Sequence, residues 1–333
     1  MGGNMPSLKG VRFVQIIAST LLLAAIGCEK KDARTNSTAG GQDMVVPAAP
    51  QVAFPDRPAA RMVSPDVEFY VARLDGAGAG LPMEVDLYLP AGRHEAKSLP
   101  CVLIAPAGTA MHGAVIDESD RAEHYPYIRA GFAVVAYELS GALDDPQKAQ
   151  HIYGELVGPI RTFMNADGGL INGKIAIDYV LQKVPEVDPD QLFACGHSSA
   201  ADIALNLALG DSRIHACCAY APRTDVEAWW NDPKLEQRVP GFNAFATQKS
   251  PLRHVDAFNC PVYLFHADDD SVVPLDDNQV FADAMKAAGK QITFQRLPKG
   301  GHYDSMIQQG IPGGIKFMES NGAKPKPPVP AAG

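Results

Sequence analysis

Five residues, Gly196-His197-Ser198-Ser199-Ala200, constrain this chain more than any other stretch. An apolar run from Gln191 to Cys195 leads into them, and a helix-compatible run over 201–209 leads out. A serine between a buried strand and a helix sits on a turn so tight that its backbone is strained and its hydroxyl stands above the sheet edge, the arrangement called a nucleophile elbow. Strand and helix then pass very close together, so the residues two before and two after the serine have to be small. Gly196 and Ala200 meet that need; the pattern more often ends in glycine, and Ala200 departs from it by one methyl group.

The pattern around the elbow alternates. Strands are predicted over 67–74 and 83–89, joined by a glycine-rich turn at 76–80. In the second of these, Val85, Leu87 and Leu89 alternate with Glu84 and Asp86, which predicts one exposed face. Continuous apolar runs at 101–105 and 132–137 predict strands buried on both faces. A helix closing over 125–130, a helix from Gly173 to Val184, strand 191–195, helix 199–209 and strands 214–220 and 261–266 follow. Helix 275–288, strand 291–297 and helix 303–318 complete the series. Strands alternating with helices give an α/β fold, a three-layer sandwich around a mostly parallel sheet. Two stretches, 141–167 and 222–255, break the alternation, and long insertions of this kind are usually functional. The second is placed as a lid; its Trp229 and Trp230 either line a substrate pocket or pack the insertion onto the domain.

At 333 residues and 46% apolar content the chain can bury a large core, as one α/β domain or two smaller ones. Its net charge of −9 argues against a nucleic-acid partner, which would need a basic face. Lys9 and Arg12 followed by an apolar run over 14–26 read as a secretory signal, too short for a comfortable membrane span. The run ends in Leu23-Ala24-Ala25-Ile26-Gly27-Cys28, which resembles a bacterial lipobox with Ala25 where Leu is commonest. On that reading 1–27 is a signal peptide, Cys28 is lipidated, and the exported protein is tethered to a membrane at the periplasmic or cell-surface side; the alternative is an ordinary signal cut nearby. Residues 28–60 read as a flexible tether, 61–320 as the folded domain, and 321–333 as a disordered tail. The five cysteines after Cys28 are an odd number, sit mostly in apolar strands, and show no metal-ligand spacing; Cys217-Cys218 reads as buried strand, with a vicinal disulfide the remote alternative.

Nucleophilic catalysis by serine needs a histidine to take the proton and a carboxylate to orient that histidine. His302 follows two glycines between a strand and a helix, and its competitors His112, His197, His254 and His266 lack that last-loop position. Three aspartates, 268 to 270, compete for the carboxylate role; spacing to Val273-Pro274 favours Asp270, and Asp268 and Asp269 read as turn-forming or capping residues. About 70 residues from Ser198 to Asp270 and about 30 from there to His302 fit the chain order Ser, Asp, His. An oxyanion hole needs two backbone N–H groups: Ser199 would supply one, and Ala107 or Gly108 the other, Pro106 having none.

Together Val187-Asp188-Pro189-Asp190-Gln191, the elbow, the run from His266 to Pro274, Gly300-Gly301-His302 and Ser250-Pro251 resemble an α/β-hydrolase of the dienelactone hydrolase and prolyl oligopeptidase branch over about residues 83–318. Two positions depart from that pattern: the loop after strand 101–105 lacks the usual His-Gly, and Ala267 stands where Gly is common. The resemblance implies a serine hydrolase acting on a carboxylic ester, without metal or cofactor. A peptidase or amidase would use the same residues, although the chain has no room for a β-propeller. A non-catalytic surface lipoprotein on the same fold is the third reading.

Overall fold

The computed structural model describes residues 54–75, 82–108, 111–143, 153–230 and 233–330. The signal peptide, Cys28, the tether up to residue 53, the glycine-rich turn at 76–80 and Thr109 lie outside the described residues.

Among the described residues one sheet contains β1 (Arg61–Ser64), β2 (Val67–Leu74), β3 (Met83–Pro90), β4 (Leu99–Ile104), β5 (Ala133–Tyr137), β6 (Val187–His197), β7 (Ile214–Tyr220), β8 (Val262–Ala267) and β9 (Ile292–Leu297). Their spatial order is β1-β2-β3-β5-β4-β6-β7-β8-β9. The first three pair antiparallel, and β3 pairs antiparallel with β5. From β5 onward every pair is parallel, because a helix returns the chain between successive strands.

Side chains alternate across β4: Cys101 and Leu103 join one core, Val102 and Ile104 the other. The first core is closed by α3 (Leu170–Lys183), α4 (Ser199–Gly210) and α8 (Leu275–Ala287); the second by α1 (Arg121–Arg129) and α9 (Ile311–Ser320). These three layers are the predicted sandwich. Cys217 and Cys218 are neighbours on β7 and point to opposite cores.

Several expectations are corrected. β3 has no exposed face: Asp86 and Tyr88 are buried, because α1 covers them and the His124 ring lies 5.3 Å from that of Tyr88. Burial, with nearby Glu84, raises Asp86 to about 6. The last helix starts late. Residues 303–305 close the His302 loop through Ser305 N–H to the Gly300 carbonyl (3.2 Å), and one π-helical turn, Met306–Gly310, precedes α9.

Helices also occupy both insertions: α2 (Tyr153–Asn165) in the first, α5 (Val226–Trp230), α6 (Pro233–Arg238) and α7 (Phe242–Gln248) in the second. The two insertions pack on each other, with Phe163 edge-on to Phe245 at 6.1 Å and Lys249 paired to Asp167 at 2.5 Å. Between them and α4 lies a cavity of about 20 Å³ bordered by Ser199, Asp202 and Lys249.

The described residues on either side of the predicted domain are docked too. Arg57, assigned to the tether, makes a two-point ion pair with Glu186, both contacts at 3.0 Å. Residues 321–330, expected to be disordered, run as a strap across the N-terminal ends of β4 and β6. Lys324 N–H donates to Gln191 Oε1 (2.6 Å), Lys326 N–H to the Ser98 carbonyl (3.3 Å) and Val329 N–H to the Arg93 carbonyl (2.7 Å). The prolines between them have no N–H to satisfy, which lets the strap lie flat with few donors.

Candidate active site

The site forms at the C-terminal ends of β4, β6, β7 and β8, where the strand order reverses around β4, the position at which open α/β sheets place their ligand sites. Ser198 joins β6 to α4 with φ 55° and ψ −127°, a conformation that costs a non-glycine residue of order 1–3 kcal/mol. Its N–H donates to the Tyr220 carbonyl at 2.9 Å, which fixes the elbow to β7. A Cβ on Gly196 would stand 2.3 Å from the Ala200 carbonyl oxygen, so only glycine fits before the turn, while the Ala200 methyl is buried without conflict.

The three aspartates after β8 divide three tasks. Asp268 pairs with Arg296 of β9 at 3.1 Å. Asp269 Oδ1 accepts from the N–H groups of both Gly300 and Gly301 at 2.8 Å, clamping the loop that carries His302. Asp270 Oδ2 accepts from His302 Nδ1 at 2.7 Å, while its Oδ1 accepts from Val272 N–H (2.7 Å) and Val273 N–H (3.0 Å). The Asp270 side chain is only 1% exposed. Burial alone would raise its pKa, but the His302 hydrogen bond and charge and the two amides outweigh it and hold the carboxyl below its ordinary value.

The competing histidines have other partners. His266 sits directly behind Asp270. Asn278 Nδ2 donates to the Pro222 carbonyl (3.0 Å) and to His266 Nδ1 (2.7 Å), so the ring proton is on Nε2 and is donated to the Val273 carbonyl at 3.0 Å. Burial lowers its pKa and keeps it neutral. His112 bonds the Gly113 carbonyl and His254 the Gln248 carbonyl. His197 bonds the His302 carbonyl at 2.8 Å, with the two rings 4.5 Å apart.

Among the described residues no hydrogen bond joins Ser198 Oγ to His302 Nε2; the two residues are linked through His197. Such contacts are often long without substrate and tighten when it binds. The Ser199 and Ala107 amides make no hydrogen bond among the described residues, whereas Gly108 N–H donates to Ser199 Oγ at 2.9 Å. That bond ties the loop after β4 to the elbow and leaves Ala107 as the freer of the two predicted donors. Trp229 lies under the Arg223 guanidinium (3.8 Å from the ring centre) and donates Nε1–H to Asp277 at 2.8 Å, while Trp230 packs against the main core.

Asn278 and His197 carry structural duties at the site that were not assigned from the sequence, and Asp269, read as a turn-forming or capping residue, clamps a different loop from its own. The acidic run flagged Asp269, but its task depends on where residues 300–302 arrive, and no local pattern encodes that.

A mostly parallel sheet with helices on both faces and a serine elbow at its switch point is an α/β-hydrolase fold. The sequence profile of the dienelactone hydrolase family matches residues 89–303, more than half of the chain, and the chain belongs to that family. It is therefore an enzyme of a hydrolase family. No protein in the curated collection matches it by sequence. Among solved structures, an acetyl xylan esterase from Paenibacillus sp. R4 is similar at 18% identity and TM-score 0.58, over 79% of this chain and 87% of that one. The propionate-bound Est2 esterase of Thermogutta terrifontis is similar at 18% identity and TM-score 0.57, over 79% and 97%. A puromycin-hydrolysing peptidase of Mycobacterium tuberculosis is similar at 19% identity and TM-score 0.60, over 79% of this chain but 41% of that one. At these identities the likeness is one of fold.

Proposed function

We infer that this enzyme is a serine hydrolase that cleaves a carboxylic ester through an acyl-enzyme intermediate. The observation that carries the reading is the Asp270–His302 hydrogen bond at 2.7 Å beside a serine held at positive φ. In this mechanism Ser198 Oγ attacks the ester carbonyl carbon and its proton passes to His302 Nε2. The tetrahedral oxyanion is held by the amides of Ser199 and Ala107. Collapse breaks the bond to the alcohol oxygen, which takes the proton from His302 and leaves as the alcohol. Water then adds to the acyl carbon, with His302 again taking and returning one proton, and frees the acid and Ser198. Asp270 keeps the proton of the imidazole on Nδ1 and stabilises the imidazolium.

The esterase relatives in fold favour an ester; the peptidase likeness keeps an amide substrate as the second reading. Labelling of the full chain with a fluorophosphonate, mapped by peptide mass spectrometry, tests both the nucleophile and its activation. An adduct on Ser198 that disappears in His302→Ala is the expected result, and a folded wild-type protein without adduct would overturn the reading. Turnover of short-chain esters against aminoacyl amides then separates esterase from peptidase. The same proposal places the enzyme outside the cytoplasm, held by acyl chains on Cys28; palmitate incorporation that persists in Cys28→Ser would sink that part.

A further inference from the structure

Besides its own internal bonds, the loop that carries His302 is held, among the described residues, by three side chains from neighbouring elements. Two come from the loop after β8: Asp269 on the amides of Gly300 and Gly301, and Asp270 on the imidazole. Both anchors locate His302 relative to that loop, and neither refers to Ser198. With these two alone, the imidazole could swing about the aspartate arm and change its distance from the nucleophile.

The third comes from the elbow itself. His197 is the last residue of β6, next to Ser198, and is 4% exposed. Its Nε2 lies 2.8 Å from the His302 carbonyl oxygen. A carbonyl only accepts, so the ring nitrogen facing it must be the donor. The His197 ring also lies against the His302 ring, with centres 4.5 Å apart and planes 44° from parallel. The Tyr303 ring meets the His197 ring edge to face with centres 5.6 Å apart, and Glu123 Oε1 of α1 lies 3.8 Å from His197 Nδ1.

We propose that His197 is a positioning residue that sets the reacting imidazole of His302 against Ser198, by donating its Nε2–H to the His302 carbonyl and bracing the His302 ring. The residue that precedes the nucleophile thus holds the base, and one rigid strand end locates both. A neutral His197 suits this role, because a fixed donor is needed whatever the state of His302. Burial, reinforced by the charge of His302, lowers His197 to about 3 and keeps it neutral over the working range. The catalytic consequence rests on the serine-hydrolase reading above; the positioning itself does not.

The test uses the full chain and three substitutions. Gln places an amide N–H near the position of imidazole Nε2, Asn places it near Nδ1, and Phe keeps a ring without a donor. The first readout is the His302 Nδ1–H proton resonance in histidine-labelled protein, which reports the bond to Asp270 and needs no turnover. It is expected to persist in wild type and His197→Gln, and to broaden or vanish in His197→Asn and His197→Phe. The second readout is steady-state ester hydrolysis. His197→Phe and His197→Asn are expected to lose about ten-fold or more in kcat with KM within about two-fold, because a misplacement of the order of 1 Å is felt in the chemical step. His197→Gln should recover most of that loss, which a purely space-filling role would not predict. Circular dichroism and the melting temperature verify that each variant folds. Unchanged resonances in all folded variants, or a His197→Gln variant as impaired as His197→Phe, would overturn the proposal. A resonance that follows the expected pattern in a wild type lacking Ser198-dependent turnover would instead uphold the positioning and remove the hydrolase reading.

Discussion

Asp268, Asp269 and Asp270 share one chemistry and differ by a single step of backbone each, yet an ion pair, a loop clamp and a histidine partner are divided among them. What separates them is the direction each carboxylate takes as the chain leaves β8. Asp270 turns inward to His302, and both its oxygens accept hydrogen bonds, one from the ring N–H and the other from two amides. Asp269 turns to the glycine amides of the neighbouring loop. Asp269→Ala is expected to lower stability by about 1 kcal/mol through the loss of these hydrogen bonds. It should also lower kcat by roughly ten-fold while leaving KM within about two-fold, because the loop carrying His302 loosens. Urea unfolding and steady-state kinetics on one preparation measure both, and an unaltered kcat would show that Asp270 and His197 suffice to hold His302.

At the scale of elements, the strap over 321–330 and the two packed insertions are the parts that repetitive patterning conceals. The strap's donors, Lys324, Lys326 and Val329, alternate with prolines and reach Gln191, Ser98 and Arg93, all near the strand ends opposite the site. Deleting 324–333 is therefore expected to lower the melting temperature by about 3 °C or more, consistent with the loss of roughly 1 kcal/mol from a domain of this size, with kcat unchanged. A scanning calorimetry trace identical to wild type would mean that the strap adds no stability. The insertions behave differently. The three helices of the second insertion are five to seven residues long, too brief to announce themselves by periodicity, and the longer α2 carries Gly158 and Pro159 in its interior, which break the helical signal. The two insertions gain stability by burying Phe163, Phe245 and the Lys249–Asp167 pair between them.

Taken whole, the molecule carries an acid on the second-core side whose protonation is coupled to folding. Burial, with nearby Asp120, raises Glu123 of α1 to about 8. A carboxyl raised in the folded state contributes stability that is fully present below its ordinary unfolded value and is lost as pH rises through the folded value. Glu123→Gln is accordingly expected to match wild type near pH 4 and to melt at least about 3 °C higher near pH 9, a difference of order 1 kcal/mol. Equal melting temperatures across that range would show that Glu123 ionises freely. Outside β1 and the two insertions, the linear order of elements was readable from the chain because it rests on local chemistry. Period-2 and continuous apolar runs make strands, and a small–x–Ser–x–small turn between an apolar run and a helix-compatible run marks a strand-to-helix junction. Ser198, Asp270 and His302 were picked out in this way, from loop position and spacing. Tertiary structure alone decided the rest. Asp86 is buried because α1 packs over β3, the proline-rich tail docks because strand ends offer it carbonyls, and His197 meets His302 because β6 and the loop after β9 converge. Those contacts join residues far apart in sequence, and a local pattern has no means of recording which distant surface will arrive beside it.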